Sequence, residues 1–285
     1  MSDRVKKSHY IAATLTRPWE FTHENGNAGQ LYFYDFQQDA FKHESAQFLY
    51  VAASPWGDKL ENLLCEQIET PLGSYLTRRR REEAAQPNYD ELRALKLAAL
   101  LQVERSYDRV HDLTSFDPER FFDHFVLRAE QTVGFVTIAF RRDCLFYPDD
   151  GLLAIPMLDS SPVLAVPLLP NLLVAVVPKG TTADAQLDQI RHDEDFFAGL
   201  SLGATDAEIV VIPGAERGLK TEDELRAEIR RCREHRDRII SRYKDQLDEL
   251  WGKDRDPLPW LEERPPLQRT PRAKRKVWGR PKGST

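Results

Sequence analysis

The sequence predicts an α+β fold: short strands in a mixed sheet packed with several helices, one long C-terminal helix and a disordered basic tail. Three features carry that expectation. Residues 133–178 break into short, almost wholly apolar runs (VGFVTIAF, GLLAIPM, SPVLAVPLL, NLLVAVVP) punctuated by prolines, the pattern of strands buried on both faces. Leucines at three- and four-residue steps precede that block. After it, Thr221-Glu222-Asp223-Glu224 reads as a capping box, in which hydroxyl and carboxylate satisfy each other's free backbone donors, and helical periodicity then continues to Trp251.

In chain order, 9–51 is β-rich, with the aromatic run GQLYFYDF following the turn-forming HENGNAG. From Gly57, Leu60, Leu63, Leu64, Ile68, Leu72 and Tyr75 mark a helix that Pro71 should kink or divide. Asn88 caps a second helix running toward Val110, and an aromatic helix is expected across ERFFDHFVLRAEQ. A further helix spans about 183–200, and EIVVIP supplies a last strand. On the long helix, Leu225, Ile229, Cys232, Ile239, Tyr243, Leu247 and Leu250 approach a heptad seam that Arg236 interrupts. That seam would dock on the domain or pair with a second copy to give a homodimer. DPLPWLEERPP then acts as a linker. The expected organisation is a globular domain over 1–218, the amphipathic helix over 219–252, and the linker with its basic tail over 253–285.

The chain has 285 residues, 41% hydrophobic and 30% charged, which suffices for a sizeable core without metal or disulfide. Three widely spaced cysteines fit neither a secreted disulfide framework nor a cysteine-rich zinc site. No apolar run reaches the roughly 18 residues of a membrane helix, and MSDRVKKSHY lacks the apolar core of a signal peptide. The expected location is therefore the cytoplasm, without membrane attachment. Charge is divided unevenly. From Arg264 to Thr285 there are five arginines, three lysines and no acid, so this tail carries +8 and the rest −14 of the net −6.

The opening KKSHYIAATL, the LYFYDF strand, the ENLLCEQIE helix and the SSPVLAVPLLPNLLVAVV block, taken in order, resemble a mainly bacterial family of proteins with a domain of unknown function, number 4238. The resemblance covers roughly residues 6–215. Where members look to begin Lys-x-His-His-Tyr-Val-Pro, this chain has Lys7-Ser8-His9-Tyr10-Ile11-Ala12, losing one histidine and the proline. The family's Asp-Asn-Pro turn is Ser160-Ser161-Pro162 here, with Asp159 one place early. The family implies no established activity.

Catalytic signatures are missing: there is no GxxxxGK[ST], GxGxxG, GxSxG, HExxH or CxxC, and none of the twelve lysines has an acid two positions before it, as a common nuclease core would require. What remains is a loose constellation. His9 with Glu66 and Glu69, which are spaced to share a helix face, could serve as acid and base or hold a divalent metal such as Mg or Mn. The plainer reading is a packing histidine and a wet helix face, and no cofactor is otherwise evident. His192-Asp193-Glu194-Asp195 reads as a solvated helix start before a metal site, and Asp149-Asp150-Gly151 as a turn. Arg78 to Arg81 complement the carbonyl end of their helix. Arg226, Arg230 and Arg233 stripe the long helix, interleaved with acids in the manner of an ion-paired face.

The tail is the most specific signal. Lys274-Arg275-Lys276-Val277-Trp278-Gly279-Arg280-Pro281-Lys282 closely resembles an AT-hook, the motif that lies in the minor groove of A·T-rich DNA. Gly279 permits close approach to the groove floor, Pro281 keeps the chain extended, and Arg280 would enter where the negative potential is strongest. Lysines neutralise phosphates. Trp278 stands where the motif's first core arginine belongs, so one groove-inserted guanidinium is missing. A polybasic end touching nucleic acid without preference is the alternative. The leading expectation is an acidic body tethered to DNA by this tail, at the nucleoid if the cell has one. Whether the body is an enzyme stays open: a binding or regulatory module, a divalent-metal nuclease or phosphodiesterase, and a structural homodimer are the three readings.

Overall fold

The computed structural model describes residues 7–9, 13–106 and 133–251 apart from gaps within those ranges, of which 54–61, 158–162 and 203–207 are the longest. The aromatic helix expected over 119–131, the turn near Asp159 and the whole of 252–285 lie outside the described residues. Two compact units divide the chain, Met1–Tyr243 and Lys244–Thr285. The first holds every described strand.

The fold is α+β, and its strands form three antiparallel sheets rather than one mixed sheet. β1 (Lys7–His9) pairs with β5 (Val51–Ala53). β6 (Val133–Ala139), β10 (Leu172–Pro178), β9 (Val163–Leu169) and β8 (Leu153–Ile155) form a four-stranded sheet in that order. β2 (Glu20–Phe21), β3 (Gln30–Asp35), β11 (Ile209–Ile212) and β7 (Tyr147–Pro148) form the third, with β4 (Ala40–Ser45) also paired to β3. Short turns explain the antiparallel pairing. Only Pro170 and Asn171 separate β9 from β10, and a parallel crossover needs a dozen residues or more.

The apolar strands face two cores, as their unbroken hydrophobicity predicts. Along β11, Ile209 and Val211 enter one cluster while Val210 and Ile212 enter the other; along β10, Val174 and Val176 go one way and Leu173, Ala175 and Val177 the other. Period-two alternation thus buries both faces of each strand. Helices close both sides.

On the first side lie α1 (Ala13–Thr16), a 3-10 turn (Arg17–Trp19), a helix that passes through a π-turn (Cys65–Glu69) into α3 (Thr70–Arg81), and α4 (Tyr89–Ser106); a short α2 (Ala46–Leu49) follows β4. Pro71 neither breaks nor divides this helix. Having no N–H to give, it sits in the first turn of α3, and the Thr70 N–H reaches back five residues to the Cys65 carbonyl, so the lost bond becomes a π-turn. Asn88 caps α4 as expected: its Oδ1 accepts from the Glu91 N–H at 2.9 Å, and Glu91 Oε2 accepts from the Asn88 N–H at 2.8 Å.

The second side is covered by α5 (Ala183–Ile190), α6 (Glu194–Leu200) and the long α7 (Glu222–Trp251). The single helix expected over 183–200 is two, because Asp193 leaves helical geometry and accepts the Phe196 N–H to start α6. The capping box of α7 forms, with Thr221 N–H donating to Glu224 Oε2 at 2.7 Å and Glu224 N–H to Thr221 Oγ1 at 3.3 Å. Leu225, Ile229 and Cys232 are buried in the chain's own second core. Arg236, the break in the seam, is only 5% exposed and hydrogen-bonds Asp237 through Nε at 2.8 Å.

Candidate functional site

Of the candidate acid and base residues, Glu66 and Glu69 lie on the first side of the fold. His9 ends β1 opposite Val51; its side chain is outside the described residues. Glu66 and Glu69 both sit on the π-turn: Glu66 is exposed, while Glu69 is half-buried beside Thr14, Leu72 and Gln102. The crevice there holds about 10 Å³, room for one water at most. Among the described residues, no three His, Cys, Asp or Glu side chains converge to hold a metal ion.

His192 to Asp195 is a helix start. Asp193 caps α6, Glu194 Oε1 accepts the Arg141 N–H at 2.9 Å, and Asp195 is shared by Arg142 and Arg231. His235 Nε2 lies 3.0 Å from Asp193 Oδ2. Asp149 Oδ2 accepts the Glu208 N–H at 3.1 Å, and Gly151 takes the left-handed φ of +72° that closes the turn. On α7, Arg226 pairs with Asp39, Arg231 with Asp195, and Arg233 stacks on Phe36 at 4.4 Å, so much of the stripe is committed within the chain. The tail residues Lys274, Arg275, Lys276, Gly279, Arg280, Pro281 and Lys282 lie outside the described residues.

A cleft of about 380 Å³ opens elsewhere, where five sequence-distant segments meet. The 3-10 turn and β2 contribute Pro18 and Glu20; the end of α3 contributes Arg79 and Arg80, with Glu83 just beyond; the loop after β6 brings Asp143; Asn171 comes from the β9–β10 turn and Gly214 from the chain after β11. Backbone contacts fix these walls. Phe140 N–H donates to the Asn171 carbonyl at 2.9 Å and Leu145 N–H to the Pro170 carbonyl at 2.8 Å, pinning the Asp143 loop to the turn at both ends. Trp19 is fully buried, donates from Nε1 to the Leu145 carbonyl at 3.3 Å and meets the Tyr147 ring edge-on at 4.9 Å. Gly214 lies so close that a Cβ there would stand 2.7 Å from the Glu20 carbonyl oxygen and 2.9 Å from that of Trp19. Only glycine lets the two backbones touch.

The electrostatics of the cleft are unbalanced. Burial pushes the Glu20 carboxyl above the usual carboxylate range, against the opposing pull of Arg17 and Arg80. Burial also raises Asp143, helped by the charge of Glu216 and opposed by Arg80; Asp143 keeps contact with solvent, and the water there moderates the effect. Arg80 influences both carboxylates, yet no ion pair joins it to either among the described residues. Arg79 Nη1 is buried without an acceptor among them, and the same guanidinium acts on the Tyr75 hydroxyl. Arg78, one residue earlier, shows the contrast: its guanidinium grips Glu91 through both nitrogens at 2.9 and 2.7 Å.

No family model matches this chain, and comparison with curated proteins and with solved structures gives no match. The fold and site therefore define its class: an α+β protein with a polar, charge-lined cleft between its helical layer and its sheets. Among the described residues, no helix is long and apolar enough to cross a membrane. In sequence the Arg78–Arg81 run reads only as the basic end of a helix, and Glu20 and Asp143 carry no local signal.

Proposed function

We propose that this is a DNA-associated protein whose folded unit serves as a binding module and whose segment Lys274–Lys282 lies in the minor groove of A·T-rich DNA. The folded unit would be a divergent relative of family 4238, a reading supported by the order of its motifs. The observation that carries the DNA assignment is the partition of charge: +8 over the last 22 residues against −14 over the remainder, with Gly279-Arg280-Pro281 set between lysines. A body of net negative charge is repelled by phosphate overall, which favours the basic segment as the route of association.

Removing 264–285 tests this. Full-length protein should be retained on an A·T-rich duplex with a log–log salt slope no steeper than about −7, the value for eight released counterions; the truncated chain should lose retention. Arg280→Ala should remove the preference for A·T-rich over G·C-rich duplex while leaving most of the salt slope, since it takes away one groove contact and one charge. Retention unchanged by the truncation would end the proposal.

A further inference from the structure

The cleft between the 3-10 turn, the end of α3 and the β9–β10 turn offers a site with a definable ligand chemistry. We propose that it binds a small zwitterion, with Arg79 and Arg80 holding the anionic group and Glu20 and Asp143 holding an ammonium.

Its size is right: about 380 Å³ falls within the range of small-molecule sites and is ample for a free amino acid. Its opposite charges are not closed into ion pairs with each other among the described residues. Several arginines elsewhere in the fold close onto acids, as Arg78 does on Glu91, Arg142 on Glu194 and Asp195, and Arg226 on Asp39. In the cleft, Arg80 acts on two carboxylates without an ion pair to either among the described residues. Opposite charges that line one cavity without closing onto each other leave room for a ligand that bridges them.

The backbone explains why they do not pair with each other. Glu20 is anchored on β2 between buried Trp19 and the close Gly214 contact, Arg79 and Arg80 ride on α3, and Asp143 sits on a loop pinned at both ends. Charges held apart on rigid elements are preorganised for a ligand that bridges them.

The same lining selects the ligand's charge. An anion alone would gain Arg79 and Arg80 but face Glu20, Glu83 and Asp143; a cation alone would gain the acids but face the arginines. A molecule carrying both signs satisfies both walls. Burial disfavours the ionised form of Glu20 in spite of Arg17 and Arg80, so an ammonium beside it adds counter-charge.

Titration calorimetry of the full-length protein with glycine, L-glutamine and L-arginine tests the site, with acetate and methylamine as its single-charge halves. At least one amino acid should bind saturably, and neither half should match it. Arg80→Gln and Glu20→Gln should each weaken binding tenfold or more, with Arg80→Lys recovering part of the loss. Thermal unfolding of the variants serves as the folding control. DNA retention should be unaffected by these substitutions, which separates this site from the basic segment. Absence of saturable binding by all three amino acids, acetate binding as tightly as any of them, or binding indifferent to both substitutions would overturn the proposal.

Discussion

Gly199 of α6 lies directly against the backbone of Cys232 in α7: a Cβ on Gly199 would stand 2.6 Å from Arg236 Cβ, 3.2 Å from the Cys232 carbonyl carbon and closer still to its oxygen. The long helix can bury Leu225, Ile229 and Cys232 in the second core because α6 presents no side chain at this crossing. Gly199→Ala gains about 1 kcal/mol of helix propensity, but the obstructing atoms are backbone atoms of Cys232 and the Cβ of Arg236, which is fixed to the helix and cannot swing aside. Overpacking of this kind costs about 1–3 kcal/mol, so the clash should win. Denaturant unfolding should show a lower midpoint for Gly199→Ala; Ala198→Gly, its neighbour, meets no clash and should lose the propensity difference together with one buried methyl. An unchanged midpoint in Gly199→Ala would mean that α6 and α7 do not meet at this distance.

The start of α4 has a reciprocal cap that can be measured through pH. Arg78 holds the Glu91 carboxyl below the usual carboxylate range through its paired hydrogen bonds, against the effect of burial, and the Asn88 N–H adds to the lowering. A carboxylate lowered in the folded state stabilises the fold above its unfolded value, near 4.3, and that contribution is lost as pH falls through the folded value. Glu91→Gln should therefore reduce stability at pH 7 and flatten the pH dependence below about 4.3. Asn88→Ala should cost about 1 kcal/mol at neutral pH. Identical acid-unfolding curves for wild type and Glu91→Gln would contradict the cap.

The three thiols should separate by reactivity. Cys65 is exposed on the π-turn, whereas burial pushes Cys144 up to about 12 and Cys232 up to about 11. The thiolate is the reactive form, so the last two are almost wholly protonated at pH 8 as well as shielded. An aromatic disulfide reagent should titrate one thiol quickly in the native protein and three after denaturation. Rapid reaction of two or three native thiols would place the second core elsewhere.

The strands, their double burial, the cap at Asn88 and the capping box at Thr221 were legible because local chemistry alone decides them. The π-turn was not: Pro71 announces a disturbance, but whether a helix breaks or absorbs the lost bond depends on the packing of Ile68 and Leu72 against α4 and α1. The cleft was still less legible. Glu20, Arg80, Asp143 and Gly214 are ordinary residues in sequence, and only the pinning of distant loops to the β9–β10 turn sets them around one space. His9 and Glu69 drew notice as chemistry-bearing residue types, which says nothing about convergence.

Those two residues also provide the test between a binding module and a metal-dependent nuclease. Plasmid DNA incubated with the full-length protein in Mg²⁺ or Mn²⁺ should remain intact, because the half-buried Glu69 borders a crevice of about 10 Å³ that has no room for both a scissile phosphate and its metal. Glu69→Ala should then change stability and leave DNA retention alone, and His9→Ala should likewise leave retention alone. Metal-dependent nicking that disappears in both variants would instead make His9 and Glu69 the catalytic pair, with the crevice opening when DNA arrives. Gel electrophoresis of the plasmid, with a chelator control, separates these outcomes.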